Sequence, residues 1–258
     1  TWSGESIVDK TRKLVQEVRE NEKIIVHMGF EVTAAEGFVG NFTTTISTKD
    51  GLTKTIEHGV GVVATGAKAL RPKEYGYGII PNVVNALEFD RLFKLKEQHV
   101  SGAKSVVFIQ CVGSREGDRL YCSKVCCTHS VQSAIELKQE DPSRMVYILY
   151  RDMRTYGQRE AIYKKARELG IIFINYELHG KPDVSREGKK LNVEVWDHIL
   201  HRPVKIKADM VVLASAIVAN PDAEKLNKLY KVSVDGDGFF QEAHAKLRPV
   251  DFATDGMF

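Results

Sequence analysis

The sequence predicts an α/β protein centred on a parallel sheet covered by helices, and three observations carry that prediction. From Ser105 to Asn175 strand-like and helix-like segments alternate, the order expected of a parallel sheet with crossover helices. The strand-like segments are short apolar runs, SVVFIQ at Ser105–Gln110 and MVYILY at Met145–Tyr150. The chain has 258 residues, of which 43% are hydrophobic and 28% charged, enough for one large domain or two smaller ones with a sizeable core.

Taken in order, Ile7–Glu20 carries apolar residues at helical spacing opposite a charged face. Lys23–Met28 and Gly61–Thr65 are apolar runs that predict buried strands. Val39–Ser47 and Thr53–Glu57 predict two antiparallel strands around the Lys49-Asp50-Gly51 turn. Arg71–Pro81, rich in Gly, Pro and Tyr, predicts a loop, and Leu87–Glu97 a helix. The alternating unit follows: strand Ser105–Gln110, helix Ser123–Gln139, strand Met145–Tyr150, helix Arg159–Leu169 closed by Gly170, and strand Ile171–Asn175. Leu191–Trp196 and Val204–Lys207 predict a hairpin, Met210–Ala214 a strand and Ala223–Tyr230 a short helix. The central unit is Rossmann-like. Residues 101–239 are expected to form it, 71–100 a linker and helix, and 1–70 with 240–258 a second domain into which it is inserted.

The net charge is +3, from 37 basic and 34 acidic residues, and no basic run points to nucleic acid or a membrane surface. No apolar stretch approaches the length of a membrane span, and Thr1–Lys10 lacks the pattern of a signal peptide. With no initiator Met, the sequence reads as a piece of a longer protein.

Chemistry concentrates in four cysteines, Cys111, Cys122, Cys126 and Cys127, all within seventeen positions. A disulfide framework spreads its cysteines to staple distant segments, so clustering favours a metal or redox site in a reducing compartment, here read as the cytoplasm. Cys111 ends a predicted strand, where open α/β sheets bind ligands. Gly113 and Gly117 let backbone approach a ligand, and the other three cysteines are expected at the start of the next helix, Cys122 and Cys126 one turn apart on one face. A cluster accepts thiolates from divergent directions more readily than a single ion does. A helix N-terminus together with Arg115, Arg119 and Lys124 would stabilise its negative charge and raise its reduction potential. An iron-sulfur cluster therefore fits best. A zinc site, which usually shows tidier Cys pairs, and four metal-free structural thiols stay open, while a Cys126–Cys127 disulfide would be strained.

The run Cys111-Val-Gly-Ser-Arg115, with Tyr121-Cys-Ser-Lys-Val-Cys-Cys127, resembles the flavin and iron-sulfur A-subunit of heterodisulfide reductases. Leu149–Gly157 with Glu160, and Asp237-Gly-Phe-Phe240 with His244, Leu247 and Pro249, are similar to later segments of that family. The resemblance implies a thioredoxin-reductase-like core, a pyridine-nucleotide-type domain inserted in an FAD-binding domain, of which this chain keeps only part. It makes Cys111, Cys122, Cys126 and Cys127 ligands of one [4Fe-4S] cluster, standing where a nicotinamide domain would carry its glycine fingerprint. It makes Ala64, Thr65 and Gly66, in the Val62-Val-Ala-Thr-Gly-Ala67 motif, and Asp255 and Gly256, in Ala253-Thr-Asp-Gly256, contacts to FAD. The Gly-x-Gly-x-x-Gly cradle for the FAD pyrophosphate is missing. By the same resemblance the chain relays electrons between FAD and the cluster in an oxidoreductase complex, with further heterodisulfide reductase subunits and a ferredoxin or hydrogenase-type donor as partners and a homodimer admitted. Alternatives are a zinc-stabilised, non-enzymatic interaction domain and the related quinone-interacting subunit. Nothing suggests acid–base or nucleophilic catalysis, so the piece alone is expected to be inactive.

Among the remaining residues, His129 lies near the cysteines, and a solvent-facing position is favoured over a hydrogen bond to the cluster. Arg151, Asp152 and Arg154 follow a strand end and either face the site or form surface ion pairs. Tyr75 and Tyr77 are read as packing within their loop rather than stacking on a flavin.

Overall fold

The computed structural model describes residues 5–188 and 190–258. Residues 1–4 of the expected flanking domain lie outside it. The chain divides into two compact units, Ala69–Ile217 and Glu5–Lys68 with Val218–Phe258. Residues 218–239, read from the sequence as part of the insertion, group here with the flanking segments.

In the flanking unit, helix α1 (Ile7–Glu20) starts where the Ser6 hydroxyl accepts the Asp9 N–H at 3.2 Å. Strands β1 (Phe30–Phe38), β2 (Asn41–Thr48) and β3 (Thr53–His58) form an antiparallel meander, in which β2 and β3 realise the expected pair and β1 adds a third strand. The expected strands at Lys23–Met28 and Gly61–Thr65 do not form. A strand needs a neighbour for its N–H and C=O groups. Lys23–Met28 has none among the described residues, and Gly61 finds only a single parallel bridge to Met257.

Strands β4 (Ala67–Ala69) and β13 (Ile217–Ala219) carry the chain across the unit boundary. Between them run β5 (Val83–Asn85), α2 (Ala86–Lys94), α3 (Gln98–Ser101), β6 (Ser105–Val112), α4 (Cys126–Glu140), β7 (Met145–Tyr150), α5 (Glu160–Glu168) and β8 (Ile172–Asn175). Strands β9 (Asp183–Glu187), β10 (Lys190–Asp197), β11 (Arg202–Ala208) and β12 (Met210–Ser215) follow. The parallel sheet runs β5-β12-β6-β7-β8. Val106 and Phe108 of β6 pack with Val131 and Ile135 of α4 and Ile162 of α5, while Val107 and Ile109 pack with Val193 and Ile206 of the antiparallel β9–β11 sheet. Burial on both faces explains why β6 and β12 read as continuous apolar runs. Helix α2 is fixed by a capping box between Asn85 and Glu88. The last helix, α6 (Ala223–Tyr230), belongs to the flanking unit, and its Tyr230 packs with Phe42, Phe252 and Met257. No helix among the described residues is long and apolar enough to cross a membrane.

Candidate metal-sulfur site

The site begins at the carboxyl end of β6. Ile109 pairs with Leu213 and Val112 with Ser215, so Gln110 and Cys111 together oppose Ala214. This bulge puts Cys111 at φ 61° and re-aims its side chain. Below it, the buried Tyr176 hydroxyl donates to the Gln110 carbonyl at 2.6 Å and pins the strand end.

The loop after β6 is held at several points. The Ser114 N–H donates to the Cys111 carbonyl at 3.2 Å, and the Arg115 N–H to the Tyr121 carbonyl at 3.1 Å. The Tyr121 hydroxyl donates to the Ile217 carbonyl at 2.7 Å, and Ser123 Oγ accepts the Ile217 N–H at 2.9 Å. These two bonds tie Cys122, which lies between them in sequence, to the chain leaving β12. Lys124 then adopts φ 64°, which is not helical, and α4 starts only at Cys126. The expected helix start at Ser123 is thus displaced, and Cys122 lies outside the helix rather than one turn below Cys126. Cys126 and Cys127 occupy its first two positions, where no side chain caps the first-turn N–H groups and the helix dipole favours negative charge.

All four cysteines are free thiols, and all four line one small cavity with Ser114, Arg115, Ser123, Lys124, Asp152 and Arg154. Among the described residues no three His, Cys, Asp or Glu side chains are grouped to hold a single metal ion. Arg115 Nη1 lies 3.9 Å from Cys111 Sγ, and the Lys124 N–H donates to Cys122 Sγ at 3.3 Å. The Cys126 thiol reaches the Ser215 carbonyl at 3.9 Å, and the Cys127 thiol the Asp152 carbonyl at 3.6 Å.

Burial dominates the thiols' acidity. It pushes Cys126 up to about 12, aided by the negative charge of Cys127, Cys111 and Cys122. Burial likewise raises Cys111, against the pull of Arg115, and Cys127, against the Arg154 backbone N–H. Mutual repulsion among the four shows how closely they are coupled. A multivalent metal centre would relieve that repulsion by taking them as thiolates. The donor set is sulfur only, buried at Cys111 and Cys127 and half-buried at Cys122 and Cys126, and bordered by cations, which suits an iron-sulfur cluster held by the four.

Of the flanking polar residues, Arg151 donates to the Arg115 carbonyl at 3.0 Å, and Asp152 and Arg154 line the cavity while also pairing with each other at an exposed position, so each of the two expected readings holds in part. Arg119 instead pairs its backbone with Glu116. His129 is part-exposed and turned to Asp90 rather than to the sulfurs: its Nε2 meets Asp90 Oδ2 at 2.6 Å, which raises its pKa. Tyr75 and Tyr77 pack against the hydrophobic core, and the Tyr77 hydroxyl donates to Glu88 at 2.7 Å. The sequence reading missed Tyr121, Ser123 and Tyr176. The first two flank Cys122, and that adjacency was the only available signal.

In the flanking unit, Gly61–Val63 runs alongside Gly256–Phe258, joined by bonds from the Gly61 N–H to the Gly256 carbonyl at 2.9 Å and from the Val63 N–H to the Phe258 carbonyl at 2.7 Å. Ala64, Thr65, Gly66 and Asp255 are exposed, Gly256 is half-buried, and the Thr65 carbonyl accepts Asn220 Nδ2 at 3.3 Å. Gly256 has φ +79°, and a Cβ there would lie 2.9 Å from Val39. The two segments thus share an edge exposed at Ala64–Gly66 and Asp255.

The fold and the strand-end site define an α/β protein of the thioredoxin-reductase-like class. Thioredoxin reductase from T. acidophilum aligns over 97% of this chain and 70% of its own, with a TM-score of 0.56 and 16% identity. Bacillithiol disulfide reductase from Bacillus cereus aligns over 97% and 67%, with a TM-score of 0.53 and 17% identity. The chain belongs to the family of heterodisulfide reductase A-subunits. It is 39% identical over 201 residues to the iron-sulfur A-subunit of the CoB–CoM heterodisulfide reductase of Methanocaldococcus jannaschii, covering 72% of this chain and 30% of that protein. It is 37% identical over 222 residues to the A-subunit of the H2:CoB-CoM heterodisulfide, ferredoxin reductase of Methanothermobacter thermautotrophicus, covering 79% and 33%. The chain thus spans about a third of the length of the curated relatives it matches. No protein-family model matches it.

Proposed function

We propose that this chain is the part of a heterodisulfide-reductase-type oxidoreductase that holds a [4Fe-4S] cluster on Cys111, Cys122, Cys126 and Cys127 and relays electrons between it and FAD. The observation that carries the reading is the convergence of four thiols, from a strand end, a loop and a helix start, on one cavity. Four thiolates arriving from a strand end, a loop and a helix start are accepted more readily by a many-atom cluster than by one tetrahedral ion. When bound, such a cluster supplies a one-electron carrier. The protein's part is to orient the thiols, exclude water and set the surrounding charge. Ala64, Thr65, Gly66, Asp255 and Gly256 would border the flavin of the whole protein, a reading supported by the side-by-side course of their two segments. The relatives' names, with H2, formate or, in one case, ferredoxin set before the heterodisulfide, support further subunits and a ferredoxin or hydrogenase-type donor as partners. Four free thiols suit a reducing cytoplasm.

Anaerobic reconstitution tests the reading. It is expected to yield a brown protein with about four iron and four sulfide per chain and a paramagnetic signal on reduction. Cys126→Ser and Cys127→Ser are each expected to lose or alter that signal. One zinc per colourless chain, or spectra indifferent to both substitutions, would overturn it.

A further inference from the structure

One carboxylate lies between two arginines, each of which reaches a different thiol. Arg115 Nη2 donates to Asp152 Oδ2, while its Nη1 lies 3.9 Å from Cys111 Sγ. Arg154 Nη2 lies 3.8 Å from the same Asp152 oxygen, and Arg154 lines the cavity beside Cys127, whose thiol its charge and backbone N–H draw down. The Asp152 carbonyl accepts the Cys127 thiol at 3.6 Å. Asp152, just beyond the end of β7, is therefore connected to the sulfur of β6 and to a sulfur of α4.

The arrangement is built rather than incidental. The Arg115 backbone is gripped on both sides, its N–H by the Tyr121 carbonyl and its carbonyl by Arg151. It holds φ 61°, a conformation costly for a residue with a side chain. The Arg115 side chain is only 17% exposed, so its charge acts on Cys111 with little screening. Asp152 and Arg154 are 55% and 41% exposed, so these contacts contribute little to stability. Their effect is electrostatic and falls on the sulfurs. Of the cations near the cysteines, Arg115 alone donates a side-chain hydrogen bond to a thiol among the described residues.

We propose that Arg115, Arg154 and Asp152 form a clamp that sets the reduction potential of the thiolate-held cluster, with Asp152 positioning both arginines and moderating their charge. The proposal rests on the cluster reading above. Uptake of one electron makes the cluster more negative, so the arginines stabilise the reduced form and the carboxylate opposes them. The two signs are the signature of the clamp. A merely structural trio would not produce opposite shifts.

The test is an anaerobic titration of the full-length protein with dithionite, followed by electron paramagnetic resonance and paired with iron and sulfide analysis. Arg115→Gln is expected to lower the midpoint potential by the equivalent of about a tenfold change in the reduction equilibrium, about 59 mV for one electron. Arg154→Gln lowers it less, because that side chain is more exposed. Asp152→Asn, nearly isosteric, raises it. Arg115→Lys keeps the charge but loses the planar fork, and falls between wild type and Arg115→Gln. Loaded protein whose potential ignores these substitutions, or moves the same way for Arg115→Gln and Asp152→Asn, overturns the clamp and leaves the cluster reading standing. Wild-type protein without iron and sulfide overturns the cluster reading itself.

Discussion

The two compact units differ in how far each closes its own core. In the unit of Ala69–Ile217, every residue of β12 and all but the first of β6 are buried, with helices on one face of the sheet and an antiparallel sheet on the other. In the flanking unit, α1 buries none of its residues, and Ile25 and Met28 are 79% and 80% exposed. Its buried apolar cluster is Phe42, Val232, Phe252 and Met257. The closed unit carries the cysteines. The open one carries the segments assigned to FAD. A metal-sulfur site needs thiols held to within a fraction of an ångström, and a sheet packed on both faces supplies that rigidity.

The largest effect that tests this contrast is in the cores. Leu213→Ala, in the closed unit and fully buried, is expected to lower unfolding stability by about 3 kcal/mol. Leu14→Ala on α1, 58% exposed, is expected to stay within about 0.5 kcal/mol. Denaturant titration measures both, and comparable losses would erase the distinction between the units.

A smaller effect sits in the cysteine loop. Gly113 has φ +72°, and a Cβ there would lie 2.4 Å from Leu70 Cδ2. Gly113→Ala combines a left-handed backbone with a contact that the end of the Leu70 side chain must move to relieve, and is expected to cost about 1–2 kcal/mol. Gly117→Ala, at φ +52° with open space around it, should cost less. If the two cost the same by thermal denaturation, the loop is not packed as described.

The smallest effect is pH dependence. The folded, metal-free chain holds protons on Cys111, Cys126 and Cys127 that the unfolded chain releases above the ordinary thiol value of 9.0. Groups raised on folding contribute fully below the unfolded value and lose that contribution as pH rises through the folded one. Stability should therefore fall as pH climbs from about 9 toward about 12, the Cys126 value. The fall should be shallower in Cys126→Ala, and equal slopes in urea titrations under reducing conditions would show that burial does not raise the thiol.

What the sequence by itself determined was local. Helices at Ile7–Glu20 and Ala223–Tyr230 and the strand at Met145–Tyr150 agree with the sequence reading residue for residue. A helix's hydrogen bonds and caps, such as that of Ser6, come from its own few residues. The cysteine cluster was legible for the same reason, because its spacing is short. The tertiary structure decided the rest. Lys23–Met28 and Gly61–Thr65 have strand-like composition, but among the described residues no strand pairs with the first, and the second meets Gly256–Phe258 only over Gly61–Val63. The bulge at Cys111 depends on the register between β6 and β12, and the late start of α4 on Lys124 turning left-handed after Ser123 is tied to Ile217. His129 turned to Asp90, a partner 39 positions away. Asp152 stood as one of two even readings in the sequence. Only the folding of β7 beside β6 brought it to Arg115 and so to Cys111, because contacts across a sheet are set by strand order rather than by spacing along the chain.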